Sequence, residues 1–342
     1  MRFDFCIGNP PYNEEFGGTG DNETYAVPVY NAFIDAANDV ADKVELIHPA
    51  RFLFNAGSTP KAWNRKMLQD KHFKVLQYEE DATRVFPNTD IKGGIAISYH
   101  DKNNDFGAIG VFTKFDELNG IVSKIIGEKP RSLSEIIFTQ NRFNLDNLFI
   151  DHPDLRKVIG SEGRDKRFRN NIFDKVYVFM EKPGNDTIPT IGVVKNKRMW
   201  RHINKSYVDE SHENLSKWKT LVSRANGSGK FGETLTLPVC LKPYEAYTQT
   251  FIGVGAFDSC QEAENVIKYL KTKFARAMLG VLKVTQDNDR EAWRMVPLQD
   301  FTNNSDIDWN KAIHEIDRQL YKKYNLTQEE IDFIESNVKE MA

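Results

Sequence analysis

This chain of 342 residues lacks the patterns that mark several large classes of protein. No apolar run approaches the roughly 18 to 20 residues that a membrane-spanning helix needs, and the N-terminus has no charged-then-apolar signal layout. Cys6, Cys240 and Cys260 show neither a CxxC nor a Cys/His spacing, which argues against a zinc site and against a disulfide framework. The sequence therefore predicts a cytoplasmic protein with plain buried thiols and no metal site.

A glycine-rich nucleotide-binding turn between a strand and a helix is also missing. Two short segments come nearest, a Gly-Val-Gly at 253–255 and an Asn-Gly-Ser-Gly-Lys at 226–230. The first lacks the third glycine of a dinucleotide fingerprint, and the second lacks the four-residue spacer of a phosphate loop. We therefore expect both segments to be turns, with 224–230 a flexible basic loop.

What the chain does have is a short apolar strand pattern that stops at Asn9-Pro10-Pro11-Tyr12. Proline fixes its own φ and keeps the preceding residue out of the helical region, so Asn9 and Pro10 are held extended. The loop therefore presents a polar side chain in a fixed direction at the end of a strand. The alternative is an ordinary turn, because Asn-Pro is a common way to open one.

The first hundred residues alternate between strand and helix patterns. Strands are predicted at 43–49, 73–78 and 91–100, and helices at 29–41 and from about 60 to 70. This alternation indicates a parallel α/β sheet with an edge pair of the mixed kind. Ligands of open sheets lie outside the carboxyl ends of the strands, which is where the Asn-Pro-Pro-Tyr loop falls.

Other parts of the chain carry weaker signals. The polar, glycine-rich segment at 13–27 is expected to be mobile or to become ordered on a ligand. A helix is predicted at 262–280. The segment 307–338 predicts two amphipathic helices, the second opened by a capping box of Thr327 and Glu330.

The net charge of −3 conceals a basic middle. From Arg156 to Lys230 there are 17 Lys and Arg against 8 Asp and Glu, a local charge of +9 that leaves −12 for the remainder. Such a segment favours a polyanionic partner, with a solvated charged surface as the alternative. Trp200 and Trp218 lie among these basic residues in the sequence and are expected to be core residues. The side chains predicted to bind nucleic acid are Arg164, Lys166, Arg167, Arg169, Lys195, Lys197, Arg198, Arg201, Lys217, Lys219, Arg224 and Lys230.

In these features the sequence resembles the gamma-class adenine-N6 DNA methyltransferases of restriction-modification systems, the TaqI-like and type IIG restriction enzyme-methylase group. The resemblance is carried by FDFCIGNPPY, VYNAFIDAANDVADKVELIHPARFLFN and ATRVFPNTDIKGGIAISYHDK, and later by KYLKTKFARAMLGVLKVTQD, WRMVPLQDFT and LYKKYNLTQEEIDFIES. It implies that Asn9, Pro10, Pro11 and Tyr12 form the catalytic motif. It also implies that Phe86, in the VFP segment, joins Tyr12 in stacking on the target base.

The activity implied by the resemblance is transfer of a methyl group from S-adenosyl-L-methionine to an adenine amine of double-stranded DNA. The Asn9 side-chain oxygen and the Pro10 carbonyl would accept the two amine N–H groups, which favours the attacking form of the nitrogen. Stacking on Tyr12 and Phe86 would offset the cost of taking the base out of the duplex. Neither a metal nor a catalytic base is implied.

The sequence departs from that group because it lacks the glycine-rich cofactor motif and the acidic residue that normally precede the Asn-Pro-Pro loop. We therefore expect strands four to seven of a methylase sheet, completed by a separate cofactor-binding chain or by a second copy. The implied fold is α/β. A partial Rossmann-like methyltransferase sheet is expected at 1–110, a connector at 111–150, and an α+β DNA target-recognition domain with a helical C-terminus at 151–342.

Two further hypotheses stay open. The chain could be a non-catalytic DNA-binding specificity module or a truncated remnant of such an enzyme. It could also be an RNA or protein methylase, because the Asn-Pro-Pro-Tyr motif occurs where glutamine or RNA adenine is the target, although the long basic segment favours DNA. No upstream nuclease domain is recognised, and the one nuclease-like DxK, at 90–92, is interpreted as structural.

Overall fold

The computed structural model describes residues 3–15, 26–87, 89, 91, 93–159, 166–283 and 285–341. It divides into two compact units, 1–128 and 129–342. The predicted functional division near 110 and 150 stays a prediction. Several predicted features lie outside the described residues, namely the glycine-rich stretch at 16–25, both ends of the DxK at 90 and 92, and Arg164.

The first unit combines a four-stranded sheet with helices and a short hairpin. The helices predicted at 29–41 and 60–70 and the strands predicted at 43–49 and 73–78 are confirmed to within about two residues. The elements are β1 (Phe3–Gly8), β2 (Asn13–Glu15), β3 (Ala26–Pro28), α1 (Tyr30–Val40), β4 (Ala41–Pro49), α2 (Lys61–Gln69), β5 (Phe73–Glu79), β6 (Ile95–Asp101) and α3 (Asp116–Glu128).

The strand order of this sheet is β1-β4-β6-β5. β1 runs parallel to β4, whereas β6 runs antiparallel to both β4 and β5. Three strands therefore share one direction, and the antiparallel β6 lies between two of them. The connection from β5 to β6 contains no crossover α-helix within its described residues, which suits an antiparallel pair. The mixed α/β class predicted from the sequence is confirmed.

The core of the first unit gathers side chains of α1, α2 and the sheet. Ile34 of α1 and Met67 of α2 are almost completely buried in this core. The Trp63 indole donates a hydrogen bond to the Asp35 carboxylate at 3.0 Å, and Lys66 pairs with the same carboxylate at 2.9 Å. These contacts tie the two helices to each other.

β1 lies at the edge of the sheet and is poorly covered. Phe3, Phe5 and Ile7 alternate along one face of the strand and are 53%, 48% and 72% exposed. On the opposite face Cys6 is partly buried against the core. Among the described residues, no strand pairs with the outer edge of β1. β1 therefore has both unpaired backbone hydrogen-bonding groups along its outer edge and exposed apolar side chains on one face.

The second unit contains two sheets and the C-terminal helices. One sheet has the order β11-β10-β13-β7 and is antiparallel, and the other has the order β12-β8-β9. The elements are β7 (Ile137–Phe138), α4 (Leu145–Asp151), α5 (Ile172–Lys175), β8 (Thr187–Val194), β9 (Lys197–Asn204), β10 (Trp218–Ser223), β11 (Val239–Leu241), β12 (Ala246–Tyr247), β13 (Phe251–Phe257), α6 (Cys260–Lys271), α7 (Lys273–Gly280), α8 (Ile313–Lys323) and α9 (Gln328–Asn337).

The helical C-terminus is confirmed. The predicted 262–280 helix is divided at Thr272, whose side chain accepts a hydrogen bond from the first turn of α7. The capping box of Thr327 and Glu330 is present at the start of α9. Across the described ranges, none of the helices has the length and apolar character needed to cross a membrane.

The 253–255 segment is not the turn predicted from its glycines, because it lies inside β13. A Cβ atom at Gly253 would stand 2.4 Å from the Tyr247 hydroxyl and 2.7 Å from the Asn214 amide nitrogen. Glycine is needed there so that these two buried side chains can pack against the strand backbone.

Candidate functional site

The Asn-Pro-Pro-Tyr loop leaves β1 at its carboxyl end. Gly8, the last residue of the strand, still pairs with Leu46 of β4. Behind the loop, the amide of Val29 donates to the Tyr12 carbonyl at 3.0 Å, and β2 pairs with β3. The loop is thus anchored on both sides while the Asn9 side chain is exposed.

Tyr12 and Phe86, which the sequence predicted to share a site, are neighbours. Their ring centroids are 6.4 Å apart and their planes meet at 62°, an edge-to-face arrangement. Phe86 is held by its backbone, because its amide donates to the Ala82 carbonyl at 2.9 Å and its carbonyl accepts from the Thr89 hydroxyl at 2.7 Å. Both rings are half-buried.

The Tyr12 hydroxyl lies next to the Asn9 side chain. The hydroxyl oxygen is buried and makes no hydrogen bond of normal geometry to the described residues. Burial raises the pKa of Tyr12, and the Asn9 side chain opposes that rise. Asn9, Tyr12 and Phe86 therefore form one cluster at the carboxyl end of β1, which we call the base pocket after the role predicted for it from the sequence.

His48 also lies at this edge of the sheet, near the carboxyl end of β4, and sequence reasoning missed it. The side chain is completely buried, with Nε2 2.7 Å from the Ser98 hydroxyl and its ring stacked on Tyr30 at 6.2 Å. Burial lowers the pKa of His48 to about 4, so the ring is neutral at physiological pH. The only sequence signal was a histidine before the proline that closes a strand.

In the second unit, several of the predicted DNA-binding cations lie on the β8–β9 hairpin. Lys195 and Asn196 form the two-residue turn, both with positive φ, and Lys197 begins β9. Lys195, Lys197 and Arg198 are exposed. The tip of this two-stranded ribbon is therefore basic.

Other predicted cations are already paired with carboxylates. Arg201 is 3.2 Å from Glu181, and Lys217 pairs with Asp258. Exposed or partly exposed pairs of this kind contribute little and leave the cation able to exchange partners. Among the remaining positions, Lys166, Arg167 and Arg169 are not fully buried, and Lys230 is exposed.

Lys219 is a correction to the predicted DNA-binding set. It is completely buried, and its ammonium group donates to the carbonyls of Leu215, Lys217 and Lys242 at 3.3, 2.9 and 3.1 Å. Burial lowers its pKa to about 8. A side chain in this position cannot reach a phosphate, so Lys219 supports the fold and not the interface.

The 226–230 segment is held more firmly than the flexible basic loop predicted from its sequence. The Glu233 carboxylate accepts hydrogen bonds from the amides of Ser228 and Gly229 and from the Ser228 hydroxyl, at 2.6 to 3.2 Å. A Cβ atom at Gly227 would stand 2.1 Å from the same carboxylate. An internal anion thus fills the place where a phosphate would lie.

Neither glycine-containing segment fits S-adenosyl-L-methionine. The 226–230 loop is closed around Glu233, and 253–255 is packed inside a sheet. The described residues also contain no group of three or more His, Cys, Asp or Glu side chains arranged to hold a metal ion.

Two further expectations are corrected. Trp200 is 39% exposed on β9, so it is not a core residue. The thiols are only partly buried, and Cys240 and Cys260, although distant in sequence, are neighbours in space. Burial and the proximity of Cys260 raise the pKa of Cys240 to about 12, which makes this thiol unreactive.

Comparison with known proteins connects the first unit to DNA-modifying enzymes. Residues 1–86, which include the whole base pocket, match the model of the family described as Eco57I restriction-modification methylase. A protein of Mycoplasma pneumoniae named as an uncharacterized adenine-specific methylase is 31% identical over 118 residues. That alignment covers 34% of this chain and 28% of the Mycoplasma protein, so the chain spans less than a third of that relative's length.

Proposed function

We propose that this chain supplies the target-base pocket and the DNA-recognition part of a site-specific adenine-N6 DNA methyltransferase of the gamma class in a restriction-modification system. The match of residues 1–86 to a restriction-modification methylase family supports the general class. The observation that carries the proposal is the meeting of Tyr12 and Phe86 beside Asn9, at the carboxyl end of a strand. Double-stranded DNA is the proposed substrate.

In this proposal the base pocket holds an adenine that has left the duplex. The Asn9 oxygen and the Pro10 carbonyl accept the two N–H groups of the exocyclic amine, which localises its lone pair for attack. Pro10 and Pro11 keep these acceptors in a fixed direction. Tyr12 and Phe86 stack on the base and contribute about 1 to 3 kcal/mol, against an extraction cost of a few kcal/mol.

The methyl donor is S-adenosyl-L-methionine in this proposal, held by residues other than those described in this chain. A cofactor-binding part adds a parallel strand to the outer edge of β1 and covers Phe3, Phe5 and Ile7. The uncovered apolar face and the unpaired backbone of β1 support this position. We expect the chain alone to give no binding heat with the cofactor in titration calorimetry, and tight binding would contradict this part of the proposal.

The base pocket can be tested without knowing the recognition sequence. An adenine placed opposite an abasic site has no pairing partner and leaves the duplex at a lower cost, so binding to such a duplex depends strongly on stacking in the pocket. Tyr12→Ala and Phe86→Ala should each weaken binding to such a duplex by about 5- to 100-fold, while binding to the intact duplex changes less than about twofold. The dissociation constants of the wild type and of each variant are measured for both duplexes by fluorescence anisotropy.

Two control variants sharpen this test. Tyr12→Phe keeps the ring and should retain binding, and Phe33→Ala removes a ring on α1 that is 46% exposed and is not part of the pocket. Equal losses on both duplexes would assign Tyr12 and Phe86 to the core of the unit. Binding of duplex DNA with no preference for the extrahelical adenine would favour the non-catalytic specificity module.

A further inference from the structure

An open groove with a volume of about 650 Å³ lies within the second unit. Its walls come from the β8–β9 hairpin, the carboxyl end of β10 and residues 286–287, and the lining is completed by residues 170, 236 and 249–250. We call it the amide groove because of the side chains that line it: Asn170, Asn196, Gln249, Gln286, Arg198 and Arg224.

The four amide side chains of the groove have no hydrogen-bond partner among the described residues. Asn170, Asn196 and Gln286 are exposed, and Gln249 is partly exposed. Each amide offers both a donor and an acceptor, so the fold leaves both kinds of group unused in one concave place. Sequence reasoning missed these residues because it counted charges.

The two guanidinium groups of the groove are held in position by contacts within the protein. Arg198 donates to the Leu237 carbonyl at 2.6 Å and lies 5.8 Å from the centre of the Phe251 ring. Arg224 is 3.4 Å from the Asp287 carboxylate. The backbone of Arg224 is also clamped, because its amide donates to Thr250 at 2.9 Å. Each guanidinium has five N–H donors, so further donors remain for a ligand.

This set of side chains differs from the basic tip beside it. Lysine binds phosphate as a point charge, and a contact to phosphate carries no sequence information, which suits Lys195 and Lys197 at the tip. Arginine forms paired hydrogen bonds with guanine, and asparagine and glutamine form them with adenine. A two-stranded ribbon such as β8–β9 has the dimensions to enter a DNA major groove.

We propose that the amide groove reads base edges of duplex DNA and sets the sequence specificity of this chain. Asn196 and Arg198 on the ribbon form one wall, and Gln286 and Arg224 form the other. The asparagine and glutamine side chains of the groove recognise adenine, and its arginine side chains recognise guanine. This proposal rests on the proposed function, because it requires that duplex DNA is the substrate.

The test selects preferred sequences with the full chain. Duplexes with a randomised central segment are bound, recovered and sequenced for the wild type, Gln286→Ala and Asn196→Gly. Glycine at 196 keeps the positive φ of the turn while removing the amide. The control is Lys195→Asn, which removes a charge from the same turn. Thermal unfolding of each variant establishes that it is folded.

We expect the wild type to enrich a defined sequence and each amide variant to lose discrimination at one or two positions by about 5- to 100-fold. Affinity for a non-enriched duplex should change less than about twofold, whereas Lys195→Asn should weaken all duplexes alike. If both amide variants keep the wild-type sequence preference, the groove does not read bases and the inference is wrong while the proposed function stands. If the wild type binds no duplex DNA, the DNA-recognition part of the proposed function fails as well.

Discussion

β1 of the first unit and β13 of the second are both apolar strands of four-stranded sheets, yet their surroundings differ completely. β13 has a neighbour on each side, and Phe251, Ile252 and Val254 are at most 2% exposed. β1 has a neighbour on one side, and its apolar side chains are half exposed or more. Both strands are rich in apolar residues. They differ in how much of each strand the rest of the fold covers.

The comparison separates a unit that covers its own sheet from one that leaves a strand open. An edge strand usually carries several charges or a proline where it must stay solvated, whereas β1 carries a single charge, Asp4, among its apolar residues. That pattern suits an interior strand of a larger sheet. Among the described residues, the sheet of the first unit is therefore open along β1, whereas β13 is covered on both sides.

The largest effect is expected from removing one phenyl ring in each unit. Phe251→Ala should lower the free energy of unfolding by about 3 to 5 kcal/mol, because it leaves a cavity in a packed core. Phe5→Ala should lower it by less than about 1 kcal/mol, because the ring already contacts solvent. Urea unfolding followed by circular dichroism measures both. Similar losses would mean that β1 is covered in solution.

Lys219 and Lys217 of the second unit compare a buried cation with a partly exposed one. Lys219→Met should lower the free energy of unfolding by about 1 to 3 kcal/mol, because it removes three hydrogen bonds from the ammonium group to backbone carbonyls. Lys217→Met should change it by less than about 1 kcal/mol, because its partner Asp258 is at the surface. Urea unfolding of both variants measures the two changes in the free energy of unfolding. A stable Lys219→Met protein with weakened DNA binding would return Lys219 to the interface.

His48 gives the first unit a dependence on pH. Its pKa is about 4 in the folded chain against about 6.5 when unfolded, so the unfolded state binds more protons between these values. Stability should therefore fall as pH is lowered from about 6.5 towards 4, by up to about 3 kcal/mol for this group. His48→Gln should reduce the difference between unfolding at pH 7.5 and pH 5. His314→Gln, at an exposed position of the second unit, should leave that difference unchanged.

The open face should also cause self-association. We expect the chain to form dimers or larger species through β1, and Phe5→Thr with Ile7→Thr to weaken this association about tenfold or more while keeping strand propensity. Sedimentation velocity over a range of concentrations measures it. The matched control is Ile150→Thr with Leu237→Thr, which removes exposed apolar side chains from the second unit. An equal effect of the control pair would contradict association through β1.

The smallest effect concerns Lys195 and Lys197 at the hairpin tip, which are proposed to contact DNA phosphates. Lys195→Asn with Lys197→Gln should reduce the slope of log affinity against log salt by about 0.9 for each phosphate that is no longer neutralised. Arg65→Gln, at an exposed cation of the first unit, should leave the slope unchanged. Binding measured between about 50 and 200 mM salt tests this, and a wild-type affinity independent of salt would remove the basis for a DNA interface.

Local patterns predicted the elements that depend on local chemistry. The α1 helix, the short β4 strand that ends at a proline and the capping box at Thr327 are each encoded in a short segment, and the structure contains all three. The meeting of Tyr12 with Phe86 was predicted through the family resemblance, because nothing local links the two residues.

The remaining features depend on interactions between distant segments. Lys219 is buried because three carbonyls turn towards one point, and no pattern within its own strand records that. The glycines at 226–230 suggested a flexible loop, but the carboxylate that holds them belongs to Glu233, just outside the motif. The side chains of the amide groove also come from distant segments, since six separate parts of the chain line it.

The insertion of β6 between β4 and β5 bears on how the first unit folds during synthesis. Val44 of β4 and Phe73 of β5 both pair with His100, so the sheet closes only when β6 has left the ribosome. β5 leaves the ribosome before β6 and has no strand to pair with until β6 follows. Nascent chains that end before residue 95 should therefore be substrates for chaperones and proteases, and protection should appear in one step once β6 is released.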